Sequence, residues 1–210
     1  MPSVPGDMLD RVVAIVNDEL ILDSDVNEEQ RLQSFDPYRD PSEPMSRDRA
    51  VERLINRALI DQQLKLQPED QPTDAEVNKQ IDELRRNIPA CSRYHCETKE
   101  GWDHFLADQG FTEASFFARW KERMTVLNFI EERFQMGVNI TPAQIQSYYQ
   151  KTLLPEYQRQ QAPAPKLAAV SRQIREVLLQ QQISNLLRDW LQSLRAQGNV
   201  VVLHPGEEAP

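Results

Sequence analysis

The sequence contains few of the residues that usually carry chemistry. Its 210 residues include only 2 cysteines, 3 histidines and 6 glycines. It has no nucleophile elbow, dinucleotide-binding loop, phosphate loop or zinc-protease motif. Glu131 and Glu132 stand next to each other on a predicted helix, where their side chains diverge, so a solvated surface explains them better than an acid–base pair. We therefore expect no catalytic residue, no cofactor and no enzymatic activity.

Charge and hydropathy exclude other classes of function. Lys and Arg number 24 against 33 Asp and Glu, so the net charge of −9 argues against nucleic acid as the main partner. No apolar run approaches the roughly 20 residues of a membrane span. The opening "MPSVPGDMLD" has neither the basic nor the apolar region of a signal peptide, so we expect a cytoplasmic protein or a mature secreted form.

Most of the chain predicts helices. The helix capped by Ser46 is predicted to reach about Leu66, and the aromatic-rich helix capped by Thr112 to reach about Phe134. A short helix is predicted to end at Gly110, and a long last helix to run from about 166 to 198. The predicted N-caps are Ser24, Ser46, Thr73, Thr112 and Thr141.

Two segments at opposite ends of the chain predict strands. Val12 to Val16 and Glu19 to Leu22 are joined by a two-residue turn, which is typical of a hairpin. A lone hairpin is only marginally stable in water, and the only other strand-like run is Val200 to Leu203. We therefore predict a mainly α fold with a small β-sheet formed by an N-terminal hairpin and a C-terminal strand.

A series of stretches, taken in chain order, resembles the SurA-type periplasmic chaperones. "DRVVAIVNDELILDSDV" is similar to the opening strands and helix start of that family, and "RAVERLINRALIDQQLKLQ" to its next long helix. There follow "PTDAEVNKQIDELRR", "GFTEASFFARWKERMTVLNFIEERF" and "ITPAQIQSYYQK". These stretches cover most of residues 8 to 152, and "LRAQGNVVVL" resembles the family's closing helix and strand. The flanking segments of the related foldases PrsA and PpiD are also similar.

The resemblance implies one chaperone core over residues 1–210. It comprises an N-terminal part at 8–152, a linker at 153–166, and a helix and strand at 167–204 that complete the core. Family members usually carry a glycine-rich parvulin prolyl-isomerase domain after the "YY" helix, whereas here "PEYQRQQAPAPK" takes its place.

The implied function is an ATP-independent chaperone of the periplasm. It would hold unfolded or nascent outer-membrane or secreted polypeptides, without prolyl-isomerase activity, and would need neither nucleic acid nor a membrane span. Two alternatives stay open: a divergent peptidyl-prolyl isomerase, and a helical interaction scaffold that forms a homodimer through its last helix.

The stretch "CSRYHC" leaves three interpretations open. Cys91 and Cys96 form a disulfide, remain free thiols, or provide half of a metal site with His95 and His104. The spacing fits no standard zinc finger and is not C-x-x-C, so neither zinc binding nor thiol exchange is favoured. We expect a disulfide between Cys91 and Cys96, formed in an oxidising compartment, and no metal site.

Several apolar side chains lie outside the main helical stripes and are candidates for contact with clients. They are either exposed in a cradle, as adaptable binding surfaces are, or buried against a second layer of structure. The candidate client-binding residues are Ile60, Leu64, Trp102, Phe105, Val126, Phe129, Tyr148 and Tyr149.

The apolar face of the long last helix changes sides along its length. Leu167 and Ile174 lie on one side, whereas Leu187 and Trp190 lie on nearly the opposite side, with the change at 180–182. We predict that the second half packs in the core beside the terminal sheet and that the first half packs on different elements or on another chain. The alternative is a break in the helix at the three glutamines.

Overall fold

The computed structural model describes residues 10–37, 40, 43–66, 71–135, 137–204 and 207. It is mainly helical with a small three-stranded antiparallel sheet, which confirms the predicted fold class. The strands are β1 (Val12–Val16), β2 (Glu19–Leu22) and β3 (Val200–Val202). The helices are α1 (Asp23–Leu32), α2 (Arg47–Leu66), α3 (Asp74–Asn87), α4 (Cys91–Tyr94), α5 (Lys99–Asp108), α6 (Glu113–Gln135), α7 (Pro142–Tyr148), α8 (Leu154–Arg159) and α9 (Leu167–Gln197). A 3₁₀ turn (Gln33–Phe35) follows α1, and a π-helical segment (Tyr149–Leu153) joins α7 to α8.

The chain divides into two compact units. The first contains Met1–Phe129 together with Leu194–Pro210, and the second contains Ile130–Ser193. The sequence analysis expected a single core over 1–210 instead. The C-terminal strand does join the N-terminal part, but most of α9 belongs to the second unit.

The sheet brings the two ends of the described chain together. Its strand order is β2-β1-β3, with both pairs antiparallel. Val16 lies opposite Glu19 on one side and opposite Val200 on the other. The backbone N–H of Asn17 donates to the carbonyl of Asn199 at 2.7 Å, which closes the hairpin turn against the start of β3. The predicted pairing of the hairpin with the C-terminal strand is therefore confirmed.

The first unit buries one face of this sheet with α2. Val13, Ala14 and Val16 of β1 are buried, as is Ile55 of α2. The amide of Gln62 on α2 donates to the carbonyl of Val16 at 3.1 Å, so a side chain of the helix satisfies a backbone group of the strand. This arrangement holds α2 in a fixed position beside the hairpin.

A second part of the first unit is an aromatic core centred on Phe35. Its ring lies 6.1 Å from Trp102, 5.3 Å from Phe105, 5.6 Å from Phe111 and 4.3 Å from Phe116, measured between ring centroids. Most of these pairs are edge-to-face, the arrangement that the aromatic quadrupole favours. The 3₁₀ turn after α1 therefore inserts one phenylalanine among the rings of α5 and α6.

Most of the predicted helix ends are confirmed. α5 ends two residues before Gly110, whose φ of 76° is a conformation that glycine adopts readily. The prediction for Ser24 is wrong, because α1 begins at Asp23 and the carboxylate of Asp25 accepts the Leu22 N–H at 2.8 Å. Strand β2 runs directly into this helix, so the cap comes from inside its first turn. The confirmed N-caps are Ser46, Thr73, Thr112 and Thr141.

The linker predicted at 153–166 is partly helical. α8 occupies its first half, and only 160–166 lie outside helices. Pro155 lies in the first turn of α8, where a missing N–H breaks no intrahelical hydrogen bond. A proline that looks like a linker residue therefore lies at the start of a helix.

In the second unit, α9 is one continuous helix through residues 180–182. The first half packs as predicted, because Leu167, Val170 and Leu178 surround the buried Ile174. The alternative, a break in the helix at the glutamines, does not occur. Ile174 belongs to a small core with Ile140 and Ile145.

The second half of α9 does not pack in a core, and that prediction is wrong. Leu186 is 40% exposed, and Leu187 and Leu191 are only half-buried. Trp190 packs edge-to-face on Phe134 of α6, with 5.7 Å between ring centroids. A unit of this small size has too little structure to cover both sides of a long helix.

Candidate functional site

Half of the predicted client-binding residues are buried and so cannot contact a client. Trp102 and Phe105 belong to the aromatic core, where both pack on Phe35. Ile60 of α2 and Phe129 of α6 are buried as well. Ile60 and Phe129 lie off the main apolar stripes of their helices. They are buried against a further layer of structure and are not exposed in a cradle.

The two tyrosines belong to the other unit of the chain. Tyr148 and Tyr149 are half-buried around its isoleucine core. The hydroxyl of Tyr149 donates to the carbonyl of Pro165 at 2.8 Å, which ties the non-helical segment before α9 to the π-helical segment. These contacts give both tyrosines a role in packing within the second unit.

Leu64 and Val126 are the two remaining candidates, and both are half-buried in the first unit. Leu64 lines an open groove of about 630 Å³ between α2 and α6, which we call the α2–α6 groove. Along α2, residues 57, 61 and 64 share one helical face, which repeats at three to four residues. The groove is lined by Glu19, Asp61, Leu64, Lys65, Gln71, Ala118, Lys121, Glu122 and Thr125.

The groove contains a carboxyl group with a perturbed pKa. Burial raises the pKa of Asp61 to about 6, and the negative charges of Glu19 and Glu122 act in the same direction. The positive charges of Arg57 and Lys65 oppose the shift without cancelling it. The site therefore carries a carboxyl group that changes charge near neutral pH.

A second groove adjoins the first at the end of α2. It has a volume of about 530 Å³ and shares Glu19 and Lys65 with the α2–α6 groove. Leu66 lines it and is 75% exposed, while Leu20 on β2 is 53% exposed. The second groove is therefore lined by an exposed leucine, whereas the α2–α6 groove is lined by the half-buried Leu64.

Sequence reasoning missed these two leucines. Leu20 alternates with inward-facing residues on a strand, and Leu66 is the last residue of α2. A signal existed at Leu66, because a side chain in the final turn of a helix has fewer neighbours than one in the middle. The same pattern grouped Leu64 with Ile60 at i,i+4, yet the structure buries only Ile60.

The two cysteines are joined by a disulfide in the structure. Both are buried, and they belong to the aromatic core. The guanidinium of Arg85 donates to the carbonyl of Cys96 at 2.8 Å and to that of Thr98 at 3.1 Å, which fixes the loop after the bridge. His95 lies outside this core and contacts the carboxylate of Glu97 at 3.1 Å.

Among the residues that the structure describes, no group of three or more His, Cys, Asp or Glu side chains is arranged to hold a metal ion. In the same part of the chain, no helix combines the length and the apolar character that crossing a membrane requires.

Comparison with protein-family models found no match, and comparison with curated proteins found none. The resemblance to SurA-type chaperones therefore rests on the ordered stretches of the sequence itself.

Proposed function

We propose that this protein is an ATP-independent chaperone that holds unfolded or nascent polypeptides along the α2–α6 groove. The observation that carries the proposal is the pair of adjoining open grooves, one lined by the half-buried Leu64 and the other by Leu66, which is 75% exposed. An open groove accepts a chain that enters and leaves sideways, whereas small-molecule sites are usually more enclosed.

The chemistry of the lining suits clients of varied sequence. Leu64 and Leu66 offer apolar contact, while Asp61, Lys65 and Lys121 offer charges of both signs. An extended polypeptide presents backbone donors and acceptors along its length. Polar groups of the groove can therefore form hydrogen bonds with it whatever its sequence. Apolar patches flanked by such groups are typical of interaction sites.

The size of the apolar surface favours weak binding. Burying one leucine side chain gains roughly 1.5–3 kcal/mol, and ordering a flexible client costs part of that gain. Binding near or weaker than the micromolar level, about −8 kcal/mol, lets clients leave without an energy source. Weak binding is what a holding chaperone without ATP requires.

The proposed compartment is the periplasm. The disulfide between Cys91 and Cys96 supports this, because such bonds persist in oxidising compartments and are rare in the cytosol. The resemblance to SurA-type chaperones supports the same compartment, as well as clients of the outer-membrane or secreted type. The proposal includes no prolyl-isomerase activity and no other catalysis.

Light scattering from an aggregating unfolded client tests the proposal. We expect the wild type at several-fold excess to suppress aggregation and the double variant Leu64→Ser, Leu66→Ser to suppress it much less. Leu127→Ser is the matched control, because Leu127 is 50% exposed on the opposite side of α6 from Ala118 and Thr125 of the groove.

The possible outcomes separate the function from the site. Absence of suppression by the wild type would reject the chaperone proposal. Full suppression by the folded double variant would instead remove the groove as the binding surface and leave the function standing. Circular dichroism on each variant establishes that the fold is intact.

A further inference from the structure

A small cavity rich in arginine lies next to the α2–α6 groove in the first unit. Its volume is about 70 Å³, and it lies among α1, the 3₁₀ turn, α2 and α6. Arg53, Arg57, Arg119 and Arg123 all line it, although the protein as a whole carries a net charge of −9. It shares Glu122 with the α2–α6 groove, so a chain lying in the groove passes its edge.

Three of these arginines are already neutralised by carboxylates. Glu29, only 3% exposed, pairs with Arg57 at 2.5 Å and with Arg53 at 3.5 Å. Arg119 pairs with Glu28 and, at 2.8 Å, with Glu122. A buried glutamate held by two guanidiniums fixes the geometry of this wall of the cavity.

The fourth arginine, Arg123, has no such partner among the described residues. Within the described ranges, no carboxylate lies within ion-pair distance of Arg123, whose guanidinium instead sits over the ring of Trp120 at 5.6 Å. Surrounding protein atoms and then the positive charge of Arg53 lower the pKa of Arg123. The negative charges of Glu29 and Asp36 oppose this shift, so the guanidinium lies among charges of both signs. An anion within hydrogen-bond distance would stabilise its charged form.

The indole of Trp120 is a second polar group of this cavity. It lines the same cavity, and its indole Nε1–H is buried with no acceptor among the described residues. A buried donor without an acceptor costs roughly 1–3 kcal/mol and is uncommon in native proteins. Among the described residues, the buried N–H of Trp120 thus lacks an acceptor, and the exposed Arg123 beside it lacks an ion pair.

The ion pairs of the lining indicate how much negative charge would fit. Four arginines line the cavity, and the carboxyl groups around them are Glu29, Asp36 and Glu122 of the lining together with Glu28, which pairs with Arg119. Among the described residues, Arg123 is the one of the four arginines without an ion pair, so a single carboxylate would supply the missing partner. A carboxylate also matches the planar guanidinium with two oxygens.

We infer that the arginine cavity binds the carboxylate of one aspartate or glutamate side chain of a client polypeptide, with Arg123 as its main partner. This inference rests on the proposed function and gives the client a preferred chemistry. An apolar segment that carries an acidic residue would lie in the α2–α6 groove and place its carboxylate beside Arg123. A net charge of −9 disfavours acidic clients in general, and the cavity is a local exception.

Two unstructured peptides that differ in one residue test the inference. They are an apolar peptide with a single glutamate and the same peptide with glutamine, each titrated into the full chain and followed by tryptophan fluorescence. We expect the wild type to bind the glutamate peptide about tenfold more tightly, the ratio that one charge-assisted hydrogen bond at a partly exposed site provides. Arg123→Gln should abolish the preference without weakening binding of the glutamine peptide.

Matched variants exclude general effects of charge and folding. Arg86→Gln removes the same charge from an exposed position on α3 and should keep the tenfold preference. Trp120→Phe keeps a ring next to Phe116 and removes the N–H, so it should reduce the preference and the fluorescence change while leaving the protein folded. Thermal unfolding checks each variant.

Each other result overturns the inference in a recognisable way. Equal affinity of both peptides would reject the carboxylate site and leave the proposed function intact. If neither peptide binds, both proposals fail together. Competition by inorganic phosphate at lower concentration than by the glutamate peptide would identify a site for free anions instead of a client side chain.

Discussion

The aromatic core and the α2–α6 groove are two regions of the same unit that use apolar residues in opposite ways. In the aromatic core, rings that look suited to client binding are buried around Phe35. In the grooves, leucines that look like ordinary core residues reach solvent, and Leu66 is 75% exposed. Residue type alone therefore does not predict whether an apolar side chain of this protein is buried or exposed.

The difference has a topological cause. The 3₁₀ turn brings Phe35 back between α5 and α6, so the aromatic residues of those helices find a partner far away in the sequence. At the groove, α2 and α6 leave space between them, and no described element fills it. Whether an apolar side chain is buried is thus decided by what the rest of the chain places opposite it.

The largest expected effect comes from the centre of the aromatic core. Phe35→Ala should lower the free energy of unfolding by about 3–5 kcal/mol, because it leaves a cavity among four rings. Urea denaturation followed by circular dichroism measures the change. Leu127→Ala, at an exposed site, should change stability by less than about 0.5 kcal/mol. Equal effects of the two substitutions would contradict the contrast between core and surface.

Reduction of the disulfide should have a smaller effect on the same core. The bridge joins cysteines five positions apart, and closing so short a loop stabilises the folded state by about 2 kcal/mol in the loop-entropy model. Urea denaturation with and without a reducing agent measures the difference. Intact-mass analysis after thiol alkylation supplies the control, and two alkylated thiols in unreduced protein would show that the bond is not formed.

Much of the fold could be predicted from the sequence, because its signals are local. The capping boxes at Thr73 and Thr141 and the stop at Gly110 specify helix ends within a few residues. The sheet could be predicted because a hairpin needs a third strand and the chain offers a single candidate.

The candidate site was harder to predict, because it depends on distances between elements. Helical periodicity assigns Phe129 to the outside of α6, yet it is buried, since a helix can pack on more than one side. The arginine cavity draws on four separate segments, and no local pattern links Arg53 to Arg123. The raised pKa of Asp61 likewise arises from burial that becomes visible only in three dimensions.

Asp61 gives the groove a pH dependence that the aromatic core lacks. Its pKa is raised from 3.8 to about 6 in the folded protein, so folding disfavours the charged carboxylate. The resulting cost is fully present above pH 6, decreases as the pH falls, and is absent below about pH 4. Asp61→Asn should therefore stabilise the protein at pH 7.5 by about 1 kcal/mol, since water screens a half-buried group, and should have no such effect at pH 4.

Thermal or urea unfolding of this variant across pH 4 to 8 measures the difference. Asp189→Asn is the control, because Asp189 is exposed on α9. Its effect on the free energy of unfolding should not change with pH over the same range. A stabilisation by Asp61→Asn that is the same at both ends of the range would mean that the carboxyl group does not titrate as the structure indicates.

The smallest expected effect is on prolyl isomerisation, where we expect none. The segment in which related chaperones carry their isomerase domain is occupied here by the π-helical turn, α8 and the residues up to 166. The α2–α6 groove is open, and an open groove does not hold a prolyl bond rigidly enough to favour its twisted transition state. A peptide assay at micromolar protein should therefore give the uncatalysed rate, with relaxation in tens of seconds or longer. Acceleration that persists after repurification and disappears in Asp61→Asn would instead identify the groove as an active site. The two regions would then differ in that the groove catalyses a reaction, whereas the aromatic core only stabilises the fold.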